Sequence, residues 1–185
     1  MRFIADLHIH SKYSRATSRD MSPEVICKWA QIKGIGVVGT GDFTHPGWLK
    51  ELSEKLEPAG DGLFKLKKEY ELNDVPESCR AEVSFILSSE ISSIYRKNGR
   101  TRKVHSLILV PGFSDAARIN LALSRIGNLN ADGRPILGLD ALDLLKIVKE
   151  ASPSAIFIPA HAWTPHFSVF GAASGFNSLE ECFEN

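Results

Sequence analysis

The order of segments along this chain predicts an α/β fold, a parallel sheet or barrel with helices outside it. Three observations carry that expectation. Strand-like and helix-like segments alternate in a βαβ rhythm through the first half. Helix start and stop signals fall between the apolar runs, and chemically capable polar residues collect where those runs end. At 185 residues the chain is long enough for one domain with a sizeable core and short for two.

The first strand is expected over Phe3 to Ile9, a short apolar run broken by polar residues at its end. Ser22-Pro23 then supplies an N-cap and a first-turn proline for a helix running to about Lys33, and Gly34 and Gly36 stop it. Val37-Val38-Gly39-Thr40 reads as a buried strand, followed by a helix from Trp48 to about Leu56. Glu57 to Glu82 fits no clear pattern. Val83 to Tyr95 and Arg102 to Val110 flank Asn98-Gly99, a two-residue hairpin signal. Ala116 to Ile126 and Leu139 to Glu150 read as helices, and Ala155 to Ile158 as another buried strand. Gly171 to Gly175 is loop-like, and Ser178 to Glu184 opens a helix that does not continue. A closed barrel needs further strands, so the chain is expected to be the amino-terminal part of a longer domain.

Composition excludes several classes. Lys+Arg and Asp+Glu both total 22, so wholesale charge gives no support for a nucleic-acid or membrane binder, and any such attraction must come from a local patch. Cys27, Cys79 and Cys182 form no CxxC pair, which argues against a zinc ribbon or disulfide framework and suits a reducing cytoplasm. The first residues meet charge and histidine too early for a secretory signal. No apolar run approaches the ~20 residues that a membrane span needs. A soluble, cytoplasmic protein is the expectation.

The chemistry is read from where polar residues fall relative to the strands. Alternation in the first strand sends Asp6, His8 and His10 to one face. Two histidines at i and i+2 with an aspartate in step suit metal ligation, because imidazole and carboxylate ligands must converge on one point. Gly39-Thr40-Gly41-Asp42 permits a tight turn that aims a carboxylate over the strand ends, although Asp42 alone could equally cap the next helix. His45, which precedes Pro46, is counted among the candidate metal ligands, though it could be an ordinary turn residue. Glu90 ends the run Phe85-Ile86-Leu87, His105 opens Leu107 to Val110, and His161 follows the last strand. Each is weak alone; their shared placement at strand boundaries is the stronger signal. His166 lies further into the loop, where a substrate contact and a plain loop role are equally open.

The ordered set Asp6-Leu7-His8-Ile9-His10-Ser11, Ser22-Pro23-Glu24, Thr40-Gly41-Asp42 and His45 resembles the PHP (polymerase and histidinol phosphatase) family. The longer wording Gly39 to Trp48, with Glu90-Ile91-Ser92, Lys103-Val104-His105 and Pro159 to Trp163, is similar to its endonuclease Q group. The resemblance runs from Phe3 to about Phe176. It implies a distorted (β/α)7 barrel, incomplete at the C-terminus, over residues 1–185. It also implies two or three divalent metal ions, with Zn²⁺ or Mn²⁺ suiting the mixed imidazole and carboxylate set. His8, His10, Asp42, Glu90, His105 and His161 match the family's ligand positions, and Glu90 the bridging carboxylate. The chain departs from the pattern at Ser14-Arg15, where many relatives carry an acidic residue or histidine. It departs again where Phe43 and Thr44 separate Asp42 from His45. The last metal motif and the cysteine zinc module of the endonuclease Q group have no match.

The implied activity is metal-assisted hydrolysis of a phosphodiester, with His8, His10, Asp42 and Glu90 as the catalytic core and Asp6 as an orienting partner. The implied partner is DNA containing deaminated bases such as uracil or hypoxanthine, or abasic sites, with further DNA-binding regions in a longer chain. Arg96, Lys97, Arg100, Arg102 and Lys103 cluster around the hairpin turn, and Arg15 and Arg19 follow the first metal motif; both groups could contact phosphates. A solvated edge hairpin would carry the same cations. Trp163, Phe167 and Phe170 could stack on a base or simply pack. Two rival readings are a phosphomonoesterase acting on a small metabolite and a non-catalytic PHP-like module.

Overall fold

The structure, a computed structural model, describes residues 2–15 and 17–184. Strand β1 (Ile4–Asp6) lies parallel to β2 (Ile35–Gly39), and helix α1 (Pro23–Lys33) joins them. Pro23 opens α1 as expected, with Ser22 extended at the cap position, but the Ser22 side chain makes no capping bond. Gly34 ends the helix in the left-handed region (φ 71°), its N–H reaching the carbonyls of Ala30 and Gln31.

The expected first strand shortens. Only Ile4, Ala5 and Asp6 pair, against Ile35, Val37 and Val38, and the chain leaves the ladder before His8. Strand alternation is therefore not what aligns His8 with His10. Asp6 is exposed, so it is not the carboxylate that orients them.

After β2 come α2 (Pro46–Lys55) and then the segment without a clear sequence pattern. It holds an antiparallel hairpin, β3 (Leu56–Gly60) and β4 (Leu63–Leu66), followed by single 3₁₀ turns at Lys68–Tyr70 and Glu77–Cys79. Asp61 and Gly62 form its two-residue turn, both at positive φ.

Strand β5 (Ser84–Lys97) organises the rest. Its first residues run parallel to β2, pairing Val38 with Phe85, while Leu87 to Lys97 run antiparallel to β6 (Arg100–Val110) through the Asn98-Gly99 turn. Helix α3 (Phe113–Leu123) follows, then the short β7 (Ile136–Leu137), which adds parallel to β5 at Ser92 and Ser93. Helix α4 (Ala141–Ala151) is capped by the Asp140 side chain, which accepts from the Leu142 N–H. Strand β8 (Ile156–Pro159) pairs antiparallel with β6, and α5 (Leu179–Phe183) closes the described chain.

The sheet is thus mixed. The parallel expectation holds for β1, β2 and the start of β5, and the long β5–β6 hairpin makes the remainder antiparallel. The sheet curls into a half-barrel with five described helices, an architecture consistent with a partial barrel. Phe43, Trp48, Phe85, Leu87, Ile91, Ile108, Ile119 and Leu144 fill the main core, each fully buried. Burial of side chains this large contributes about 1.5–3 kcal/mol apiece and fixes the strand ends relative to one another. A second cluster of Val104, Val169, Phe176, Cys182 and Phe183 seats the loop after β8 and α5 against β6. Among the described residues no helix is long and apolar enough to cross a membrane.

Candidate metal centre

Glu90 stands in the middle of β5, its side chain 1% exposed. Its Oε1 stands 3.0 Å from His8 Nε2, 3.1 Å from His105 Nδ1 and 3.2 Å from His161 Nε2. Its Oε2 stands 3.3 Å from His10 Nε2 and 3.3 Å from Arg134 Nη1. His105 Nδ1 and His161 Nε2 are themselves 3.2 Å apart. Four imidazoles from three parts of the chain thus converge on one buried carboxylate.

The ligand-capable atoms fall into two groups that share Glu90: His8, His10 and Glu90, and Glu90, His105 and His161. Within each group the atoms lie within 4.8 Å of one another. Nitrogen and oxygen ligands ~2.0–2.1 Å from a tetrahedral ion stand about 3.3 Å apart. The contacts around Glu90, 3.0–3.3 Å, match that spacing. The donor set therefore fits small divalent cations, with Glu90 placed to serve both groups.

The second ring nitrogen of three of these histidines is held from behind. His10 Nδ1 stands 2.9 Å from Asp42 Oδ1, His105 Nε2 is 3.1 Å from Ser92 Oγ, and His161 Nδ1 is 3.0 Å from Thr164 Oγ1. Such partners fix the ring orientation and leave the inward nitrogen free to coordinate. His8 lies stacked against His161, with ring centroids 5.9 Å apart.

Asp42 stands behind His10, outside both groups of converging atoms. Its Oδ2 accepts from the Ser11 N–H at 2.6 Å, the Ser11 hydroxyl at 2.7 Å and the Ser14 hydroxyl at 3.0 Å. It is thus Asp42, not the exposed Asp6, that stands against the outer ring nitrogen of His10. Gly41 makes this placement possible: a side chain there would meet the Ile9 carbonyl at 2.5 Å, and the turn puts Gly41 and Asp42 both at positive φ. His161 is likewise at positive φ (32°), so two of the site's residues hold uncommon backbone conformations.

The electrostatics follow from this packing. Burial pushes the Glu90 carboxyl up, but hydrogen bonds from His10, His105 and His8 outweigh it and hold the group well below the usual carboxylate range. Burial pulls His10 down, yet its bonds to Asp42 and Glu90 and their charges raise it to about 9. For His105 burial prevails over Glu90 and keeps it below its ordinary value.

Other expected residues lie elsewhere. His45 begins α2, its ring stacked on Tyr13 with centroids 4.2 Å apart, and it joins neither group. Burial holds it below its ordinary pKa. Glu90 and His105 do not sit at strand boundaries, as the sequence suggested, but inside β5 and β6. Ser88, Ser89, Ser92 and Ser93 are buried, so the polar stretch that resembled a strand end is strand interior.

The hairpin cations divide into two sets. Lys97 pairs with Asp140 at 3.4 Å and Glu184 at 2.7 Å. Arg102 is buried, its guanidinium over the Phe176 ring and donating to the Gly175 carbonyl. Arg96 and Arg100 are exposed. Arg15 and Arg19 are exposed beyond the first histidines, with Arg15 Nε 3.5 Å from Asp132, and His166 is exposed on the loop after β8. Sequence reasoning missed Arg134, which no motif marks, and the serines Ser11 and Ser14 that anchor Asp42.

No protein-family model matches the chain. An uncharacterized protein of Methanocaldococcus jannaschii is 34% identical over 161 residues, and the uncharacterized protein YqxK of Bacillus subtilis is 28% identical over 193. The chain spans 16% and 46% of their respective lengths. The crystal structure of PfuEndoQ, a lesion-specific endonuclease from Pyrococcus furiosus, is 30% identical with a TM-score of 0.77. That of endonuclease Q with a 27-mer duplex substrate, an abasic lesion at its active site, is 31% identical with a TM-score of 0.79. Each match covers 99% of this chain and 40% of the solved one. Over nearly its whole described length, then, the chain is similar in sequence and in fold to part of the endonuclease Q nucleases.

Proposed function

We propose that this chain carries the hydrolytic metal centre of a DNA endonuclease that nicks a phosphodiester beside a deaminated base or an abasic site. The observation that carries the reading is the buried Glu90 carboxylate shared by two histidine groups, set in a half-barrel similar to that of endonuclease Q. In this reading His8, His10 and Glu90 would hold one ion, and Glu90, His105 and His161 another. Asp42 keeps His10 in the tautomer that presents Nε2 to the centre. Zn²⁺ or Mn²⁺ suits the donor set. The chemistry such ions supply when bound is activation of water and neutralisation of charge at phosphorus.

The residues around the centre supply orientation and phosphate contacts. Arg15 and Arg19, exposed on the loop beyond His10, and His166, exposed on the loop beyond His161, are candidates to contact the backbone phosphates. Trp163 is 81% exposed two residues past His161, available to stack on an unpaired base.

Plasma mass spectrometry of the purified chain tests the first link. The expected result is about two equivalents of zinc or manganese, lost when His8 and His10 are replaced by Ala. The loaded protein should then nick duplexes containing uracil, hypoxanthine or an abasic site. Absence of metal after reconstitution would favour a non-catalytic module. Cleavage of phosphomonoesters with no competition from DNA would favour the small-metabolite phosphatase.

A further inference from the structure

We infer that Arg134 is a phosphate-binding residue of this centre, its guanidinium taking the nonbridging oxygens of the scissile phosphodiester; this rests on the hydrolase reading above. The loop before β7 is pinned against the site at Gly133 and Pro135, and a bond within the loop fixes the backbone at Arg134. The Gly133 N–H donates to the Tyr13 carbonyl at 3.0 Å, and the Gly133 carbonyl accepts from the Thr44 hydroxyl at 3.3 Å. The Arg134 N–H donates to Asp132 Oδ1 at 3.1 Å, and the Pro135 carbonyl accepts from the Ser92 N–H at 3.0 Å. A side chain at Gly133 would stand 2.4 Å from Asp42 Oδ2 and 2.7 Å from Ser14 Oγ, so the loop crosses directly over the carboxylate that holds His10. Residue 134 is thereby delivered to the mouth of the centre.

From there the side chain, 36% exposed, reaches inward until Nη1 is 3.3 Å from Glu90 Oε2, the same oxygen that faces His10. Among the described residues that is the one side-chain hydrogen bond the guanidinium makes. Its other donors remain available on the exposed side. Glu90 already has four imidazole nitrogens within 3.3 Å, and in the reading above its oxygens would serve the metal ions rather than an arginine. With ions on the Glu90 oxygens, a guanidinium beside them would face positive charge, and an oxyanion lying between would relieve both. A planar fork of N–H donors matches paired phosphate oxygens, which an ammonium group cannot do.

The experiment measures two things on the same zinc-loaded preparations, metal content and affinity for inorganic phosphate by isothermal titration. Arg134→Gln is expected to keep the wild-type metal content and melting temperature while phosphate affinity falls at least ~10-fold. Arg134→Lys should restore only part of that loss, because it returns the charge without the fork. Unchanged phosphate affinity in Arg134→Gln overturns the assignment. So does a loss of metal or stability that Arg134→Lys repairs, which would make Arg134 a counter-ion of Glu90. A wild-type chain that holds metal yet binds no phosphate defeats the Arg134 assignment alone. A chain that holds no metal defeats the hydrolase reading and the assignment with it.

Discussion

Asp42 and Glu90 are both fully buried carboxylates, and their surroundings assign them different work. Glu90 offers both oxygens to the centre, one to His8, His105 and His161 and the other to His10. Asp42 spends one oxygen on His10 Nδ1 and the other on three donors from Ser11 and Ser14. The difference is testable by zinc titration. Glu90→Gln should abolish tight zinc binding at both groups, because they share that side chain. Asp42→Asn should weaken it by about 10–100-fold, the usual effect of disturbing a partner behind a histidine ligand. If Asp42→Asn eliminated one equivalent outright and left the other untouched, Asp42 would be a ligand instead. At this scale His8 and His10 were legible from their i, i+2 spacing, and Asp42 from the glycine turn that precedes it. Arg134 and the anchoring serines were not, since a surface arginine or a serine reveals nothing until the fold brings something to its side.

At the scale of elements the β5–β6 hairpin is the main determinant. Its turn was readable from Asn98-Gly99, because two successive left-handed residues are what a two-residue turn between twisted strands requires. The same logic applied to Asp61-Gly62, yet β3 and β4 are short, and Leu56-Glu57-Pro58-Ala59-Gly60 carries a proline and no alternating pattern. The hairpin's charge was misjudged as one cluster, for periodicity cannot show that Lys97 meets Asp140 or that Arg102 slides over Phe176. The tip lies ~20 Å along the strands from the His105–Ser92 pair, far enough for contacts to flanking backbone but not to the scissile phosphate. Replacing Arg96 and Arg100 together with Ala should weaken duplex binding alike for all sequences and reduce the salt slope by about 2. Arg102→Ala should instead lower the urea midpoint, at a cost of about 2 kcal/mol, through its lost ring contact and hydrogen bond. A reversal of these two effects would show that the buried arginine is the DNA contact.

Across the whole molecule, the curled sheet leaves apolar side chains exposed on its outermost strands. Phe3 and Ile4 are 66% and 60% exposed at β1, and Ile156 is 53% exposed at β8. Exposed strand edges of this composition pair readily with one another. The isolated chain should therefore self-associate, and Ile4→Lys with Ile156→Lys should raise the monomer fraction seen by light scattering without changing metal content. Equal association in the variant would place the contact elsewhere. The sequence by itself determined the βαβ opening and the hairpin turn, since these rest on local signals of turn chemistry, helix capping and strand propensity, and it nominated the histidines and Glu90 through spacing and resemblance. Only the tertiary structure decided how His8 and His10 reach the centre without a strand beneath them, and that Asp42 stands behind His10. It alone carried Arg134 to within 3.3 Å of Glu90. The physical reason is that ligation and ion pairing depend on distances of a few ångströms between residues tens of positions apart, and packing of the core sets those distances.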